Sequence, residues 1–451
     1  MTATLTLQLA DYAAGTSTQA IPADIRERAK KIIFDEMACA QFGRRSLGGD
    51  LAARYATSLG GPGESLILGT SLRVAAPHAA LANGSAGHGE EVDGAHVVGG
   101  HPGATLVHAA VAMADRQRVP GAELLNAVVL GYDVGVRMVE ACGGKFSLKQ
   151  RSHLYPDFLY AVGAAVAGCR LLGLAPIKHA HAMALVTFQT NGLASLYQEA
   201  RHVSKSLCNG QFAAGGVSAA LMADVGLEGV EDILGMRDGL LEAWGVEGGA
   251  QAVMRGLGQD WSVSGANFKF INAGYPIHAA VEAALTLRRT HGLESEAIAS
   301  VVIGMPEKAM RVVDGREMHN ICMQDMVSAA LVQGGLSLRE SPFPAILADA
   351  RFAALRPQAS VAIDPDLNRE QPEGRGARVT IQTRDGRTLS HRVDAPRGHS
   401  RRGEPSWDDL AEKWRDGLPH CDVDRMVALA RRLEDLDDVR LLIDAFQTAP
   451  V

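Results

Sequence analysis

Along the first two thirds of the chain, apolar positions recur every three to four residues in blocks separated by glycine-rich turns, a pattern that predicts packed amphipathic helices. Behind Pro22, at a first helical position, Ile25, Ala29, Ile32, Ile33 and Met37 form one such stripe, which ends near Gly43. The same period predicts helices over Ala104–Ala114, Leu124–Val139, Ala161–Leu172, Ile177–Leu185 and Gly216–Ala223. Alanine fills many of the contact positions, which suits helices at short separation. Beyond Trp261 the pattern changes. Ala297–Met305 is a β-branched run, and Ala377–Thr383 faces Thr388–Val393 across Asp385-Gly386, the signature of a hairpin. Strands are expected in this region only, with helices over Asp325–Val332 and Ala345–Leu355 between them. Arg397–Arg402 reads as a charged, flexible connector, and the helix opened by Ser406 is expected to pack back onto the helical part. The architecture so predicted is mainly α: a large all-helical domain from residues 1–266 and 404–451, and an inserted smaller α+β lid domain from residues 267–403.

With 451 residues and 47% hydrophobic content, the chain has enough apolar surface for two domains. Aromatic residues make up only 5%, the net charge is −7 and no basic block occurs, which argues against nucleic acid as a partner. No apolar run is long enough to span a membrane, and the first residues lack the basic flank and apolar stretch of a signal peptide. Cysteines 39, 142, 169, 208, 322 and 421 are spaced too widely for a disulfide framework or a zinc site, so a cytoplasmic protein with reduced thiols is expected.

Candidate chemistry concentrates between Asn83 and Gly103, where His88, His96 and His101 share what reads as one loop with Glu90, Glu91 and Asp93. The loop leads into a helix, whose first N–H groups suit an anion. The spacings match no familiar metal-ligand pattern, so acid–base chemistry on a small anion is the better reading than a metal site or a merely solvated loop. Lys205 precedes a helix rich in glycine and alanine, and Lys269 lies in Asn267–His278, at the expected junction of the two domains. Lysines and histidines together can neutralise a di- or tricarboxylate while a histidine or carboxylate removes the proton beside a carboxyl group. Elimination, decarboxylation and epimerisation all use this equipment. Glycine-rich stretches such as Gly131–Gly135 follow no strand, so a dinucleotide site is not expected.

Taken in order, Ile21-Pro22 with Asp35, Asn83-Gly84 with His88 and His101-Pro102, Leu130-Gly131-Tyr132-Asp133, Leu171–Leu174, Lys205 before Gly210, and Lys269 to His278 resemble the MmgE/PrpD family over nearly the whole chain. That family contains 2-methylcitrate dehydratase, cis-aconitate decarboxylase and iminodisuccinate epimerase. The resemblance implies a helical domain built from both chain ends, an inserted lid, a homodimer, and catalysis with no metal and no organic cofactor. It also implies roles for His101, Lys205, Lys269 and His278, and for His153 as a further active-site histidine. With Glu91, Asp93 and His96 from the acidic segment, these are the expected catalytic residues. The family's Asp-Phe-Asp-Asp-Thr is here Glu91-Val92-Asp93-Gly94-Ala95, Cys208 stands where a histidine is common, and Asp325 stands for a tyrosine. The expected function is a lyase, by dehydration in preference to decarboxylation, on a small polycarboxylate. The alternatives are an epimerase in the same pocket and a non-catalytic carboxylate-binding protein.

Overall fold

The computed structural model describes residues 3–448 except 200, 202, 341–343 and 372–373. The chain divides into two compact units, Met1–Asn267 with His420–Val451, and Phe268–Pro419.

The helices of the first unit include α1 (Leu5–Gly15), α2 (Ala23–Gly43), α3 (Leu47–Ser58), α4 (Ala76–Gly89), α5 (Pro102–Gln117), α6 (Gly121–Ala141), α7 (Gly144–Ser152), α8 (Tyr160–Leu171), α9 (Pro176–Gln189) and α10 (Val203–Asp224). Helix α4 packs closely against α10. A Cβ on Gly84 would stand 2.7 Å from the carbonyl oxygen of Ala104, and one on Gly210 would stand 2.2 Å from that of Leu81. Backbones this close exclude any side chain, so these glycines stay helical although glycine is a poor helix former. This is why Asn83–His88, expected in a loop, forms the second half of α4, and only residues 90–101 connect it to α5.

Two-residue strands also occur here, against expectation: β1 (Ser65–Leu66) pairs with β2 (Arg73–Val74), and β3 (Ala95–His96) with β4 (Ala266–Asn267). They are too short to leave a periodic signal in the sequence. The chain's last residues close the unit. Asp115, buried at the end of α5, takes both Arg73 at 2.8 Å and Arg440 at 2.7 Å, and Phe446 packs edge-on to Phe34 of α2. On α6, Asp133 accepts hydrogen bonds from Tyr12, Arg137 and Ser262, while Arg137 holds the carbonyls of Val253 and Asp260. Residues 253–262 are thereby fastened to α6 ahead of β4, and the Leu130–Asp133 motif serves as a clamp.

In the second unit, β5 (Ile298–Met305), β6 (Ala359–Ile363), β7 (Ala377–Thr383) and β8 (Thr388–Val393) form one sheet in the order β6-β5-β7-β8. The β7–β8 hairpin turns through Gly386, with φ at +91°, as Asp-Gly requires. Strand β6 runs parallel to β5, a pairing that needs a long crossover and gave no local signal. Helices His278–His291 and Met323–Gln333 pack on the sheet and on each other, with Ala280, Ala284, Val327 and Ala330 against Val301, Ile303, Val379 and Ile381. The expected helix Ala345–Leu355 is two short ones, Pro344–Leu347 and Ala350–Leu355.

Two expectations are corrected here. Helix Trp407–Gly417, with its Ser406 capping box, belongs to this second unit and not to the helical one. Its Asp416 accepts hydrogen bonds from Leu338 N and Ser337 Oγ, and Lys413 lies over the ring of Phe270. Nor is Arg397–Arg402 a loose connector: Arg397 pairs with Asp409, Arg402 with Glu282, and residues 400–402 form a helical turn.

Candidate active site

Five titratable side chains of the first unit form one buried chain of contacts. The last turn of α4 presents His88, which is fully buried. The backbone then turns at Glu91, a non-glycine residue held at φ +53°, a conformation that is uncommon outside sites where surroundings impose it. That turn directs Glu91 Oε1 to 2.6 Å from Lys205 Nζ, in the first turn of α10, and 3.4 Å from His88 Nε2. Two residues on, Asp93 Oδ2 lies 2.9 Å from His88 Nδ1 and 3.0 Å from His101 Nδ1. The Nδ1–H of His101 is shared with the carbonyl of Gly94 at 3.1 Å, and the two imidazole rings lie 4.3 Å apart.

Burial by itself would pull the pKa of His88 down, but Asp93 and Glu91 beside it outweigh burial and the opposing Lys205, so the imidazolium is favoured above its ordinary range. His101 is fixed through its main chain. Its N–H donates to Asp157 Oδ2 at 2.9 Å, and the same oxygen accepts from Tyr155 Oη at 2.6 Å. The preceding residue is Gly100, at φ +81°, where a Cβ would stand 2.2 Å from Asp157 Oδ1. Only glycine admits the carboxylate this close.

Of the expected residues, the structure gathers Glu91, Asp93, His101 and Lys205. His96 and His153 make no hydrogen bond or ion pair with these four. Both ring nitrogens of His96 serve the backbone: Nε2–H donates to Ser262 O at 2.8 Å and Nδ1 accepts from Val98 N at 3.2 Å. Burial lowers its pKa to about 4, so the ring is neutral and holds the loop to residues 262–265. His153 is exposed at the end of α7 in the left-handed conformation, its carbonyl accepting from Ala194 N. In the second unit Lys269 is fully buried, and His278 opens its helix with Nε2 3.2 Å from Ala273 O and its ring against Tyr275. Asp325 lies between His319, at 2.6 Å, and Arg356.

Sequence reasoning placed His88 in the titratable cluster but not among the catalytic residues, nominated neither Asp157 nor Tyr155, and missed Glu36 of α2, whose Oε1 accepts from Gly94 N at 2.9 Å. Only Glu36 left a readable sign, an acid inside the apolar run of α2. A metal ion, were one bound, would fall to His88, Asp93 and His101, whose donor atoms lie within 4.8 Å of one another. The separations of 2.9 and 3.0 Å are those of hydrogen bonds as the groups stand.

Residues 7–250 match the MmgE/PrpD N-terminal domain, and residues 272–435 match the MmgE/PrpD C-terminal domain. The chain is 25% identical to a cis-aconitate decarboxylase-like protein of Aspergillus oryzae over 91% of its own length and 90% of that protein. It is 23% identical to a cis-aconitate decarboxylase of Homo sapiens, with 92% of this chain and 89% of that one covered. With a mitochondrial 2-methylcitrate dehydratase of Yarrowia lipolytica the identity is 27% over 54% of this chain and 51% of the other.

Proposed function

Because the chain belongs to the MmgE/PrpD family, we propose that it is a lyase acting on a small di- or tricarboxylate by moving a proton beside a carboxyl group. The observation that carries this reading is the buried chain Lys205–Glu91–His88–Asp93–His101, which sets two cationic groups and a histidine base within one site. With its Nδ1–H directed at Gly94 O, neutral His101 has its lone pair on Nε2, and this atom takes the proton from carbon. The electron pair passes into the adjacent carboxylate, and the His88 imidazolium and Lys205 ammonium favour the added negative charge. In a dehydration the pair then expels hydroxide, which leaves as water after taking a proton. A decarboxylation omits that abstraction: the pair left on carbon as carbon dioxide departs takes a proton from Nε2 of His101, which starts as the imidazolium and recovers its proton from solvent. We place decarboxylation first, because the relatives aligned along nine tenths of the chain carry that name.

Lys269 and His278 complete the proposed catalytic set, on the sequence motif that contains them. The acid–base groups suffice without a metal or organic cofactor in this reading. We also propose a cytoplasmic homodimer. The six cysteines form no disulfide, and no described helix is long and apolar enough to cross a membrane. Leu47, Leu51 and Tyr55 of α3 and Leu59 at its C-cap, spaced by four and each between 42% and 51% exposed, offer an apolar stripe that a second copy would cover.

The test is to incubate the protein with cis-aconitate and with 2-methylcitrate in deuterated water, following carbon dioxide, water loss and isotope uptake by NMR. Turnover that falls roughly a hundredfold or more in His101→Ala supports the reading. Isotope uptake without loss of either group would make the protein an epimerase. Tight binding without turnover would make it a carboxylate-binding protein, and stoichiometric tightly held metal would overturn the cofactor-free mechanism.

A further inference from the structure

Gly94 and Gly103, on either side of His101, leave room for the same group. Gly94 is not at positive φ, so its backbone does not demand glycine. A Cβ there would stand 2.8 Å from Asn267 O and 3.0 Å from Glu36 Oε1. At Gly103, in the first turn of α5, a Cβ would stand 2.2 Å from both Cδ and Oε1 of Glu36 and 2.7 Å from its Cγ. The carboxylate thus occupies a slot between the acidic loop and α5, and Glu36 is 2% exposed. From this slot it accepts the N–H of Gly94 at 2.9 Å, and the carbonyl of the same Gly94, at 3.1 Å, shares the Nδ1–H of His101 with Asp93 Oδ2 at 3.0 Å.

We propose that Glu36 is a positioning residue of this site: a carboxylate from α2, seated in the space left by Gly94 and Gly103, that fixes the Gly94 peptide and through it, together with Asp93, the Nδ1–H tautomer of His101. The role rests on the proposed proton chemistry, since that tautomer leaves the lone pair on Nε2. It also gives a physical reason for glycine at 94, where the family's motif has an acid. The carboxylate arrives from another helix, and a side chain at 94 would collide with it and with Asn267.

The test combines kinetics with 15N NMR of histidine-labelled protein, for wild type, Glu36→Ala, Glu36→Gln, Gly103→Ala and the Glu36→Ala/Gly103→Ala double variant. In Glu36→Ala we expect His101 to lose its single Nδ1–H signature and kcat to fall at least tenfold, with KM changed less than threefold. Glu36→Gln, which keeps an acceptor oxygen and the size of the side chain, should restore the tautomer and most of kcat. Gly103→Ala should mimic Glu36→Ala by pushing the carboxylate out, and should add nothing further when Glu36 is already alanine. An unchanged His101 tautomer in Glu36→Ala overturns the proposal, as does full additivity of the two substitutions. If wild type turns over no polycarboxylate, the proposed function fails, yet the tautomer measurement still decides the role of Glu36.

Discussion

Lys205→Met tests the most tightly held contact of the site. It removes an ammonium 2.6 Å from Glu91 Oε1 while leaving that carboxylate 2% exposed, with Asp93 nearby on the same imidazole. Breaking a buried pair by removing one partner costs about 3–5 kcal/mol, because the remaining charge is stranded. Here His88 Nε2 lies 3.4 Å from the same oxygen, and its imidazolium takes part of the load. The expected loss is therefore at the lower end, about 3 kcal/mol. For a unit of about 300 residues, with unfolding entropy of about 2.1 cal/mol/K per residue, this lowers Tm by roughly 5 °C. The pH dependence gives a second reading. Lys205 pulls the His88 pKa down, so its removal raises that pKa further. A histidine with a raised folded pKa contributes stability in full below its unfolded pKa and loses it as pH rises through the folded value. The deficit of Lys205→Met against wild type should therefore grow between pH 6 and pH 9. Guanidinium unfolding across that range measures it, alongside the Glu91→Gln/Lys205→Met double variant, which strands no charge and should recover most of the loss. A single-variant loss below about 1 kcal/mol, or equal losses in single and double variants, would refute the buried-pair argument.

Acid should weaken the first unit through neutral, buried histidines, among them His96 and His108. His96 is held near pKa 4 and His108 near 3 by burial, both below their unfolded value, so the unfolded state binds more protons and stability falls as pH drops below about 6.5. For His96 the loss reaches roughly 3 kcal/mol by pH 4, and urea midpoints in wild type and in His108→Leu, which should flatten the slope, check it. Gly100→Ala meets Asp157 Oδ1 at 2.2 Å in addition to its φ of +81°, whereas Gly60→Ala, at φ +66°, meets nothing within 4 Å. Denaturant titrations should show at least about 2 kcal/mol lost in the first and only about 1 in the second. Lys269→Ala and His278→Ala should each reduce turnover by roughly a hundredfold on a verified substrate, with circular dichroism unchanged. Near-normal rates in both would remove them from the catalytic set.

Periodicity alone determined much of the helical scaffold and the hairpin, because each is written in local residue order. The stripe from Ile25 to Met37 gives α2, and Asp385-Gly386 between two alternating runs gives β7 and β8. The acidic segment with its two flanking histidines was also legible, since titratable groups crowd it whatever their final geometry. Tertiary contacts decided the rest. That Asn83–His88 is helical follows from the close approach of α4 and α10, where glycines are selected by a neighbour more than a hundred residues away. Strand β6 exists because β5 is beside it, and helix Trp407–Gly417 joins the second unit through partners at Phe270, Ser337 and Arg397. Equal-looking histidines in the sequence acquire different chemistry in the fold. His96 is neutralised by burial, while His88, more deeply buried, has its imidazolium favoured by carboxylates on both sides of its ring. Spacing along a chain specifies which groups are available, but a pKa depends on distances to charges that only the folded chain brings together.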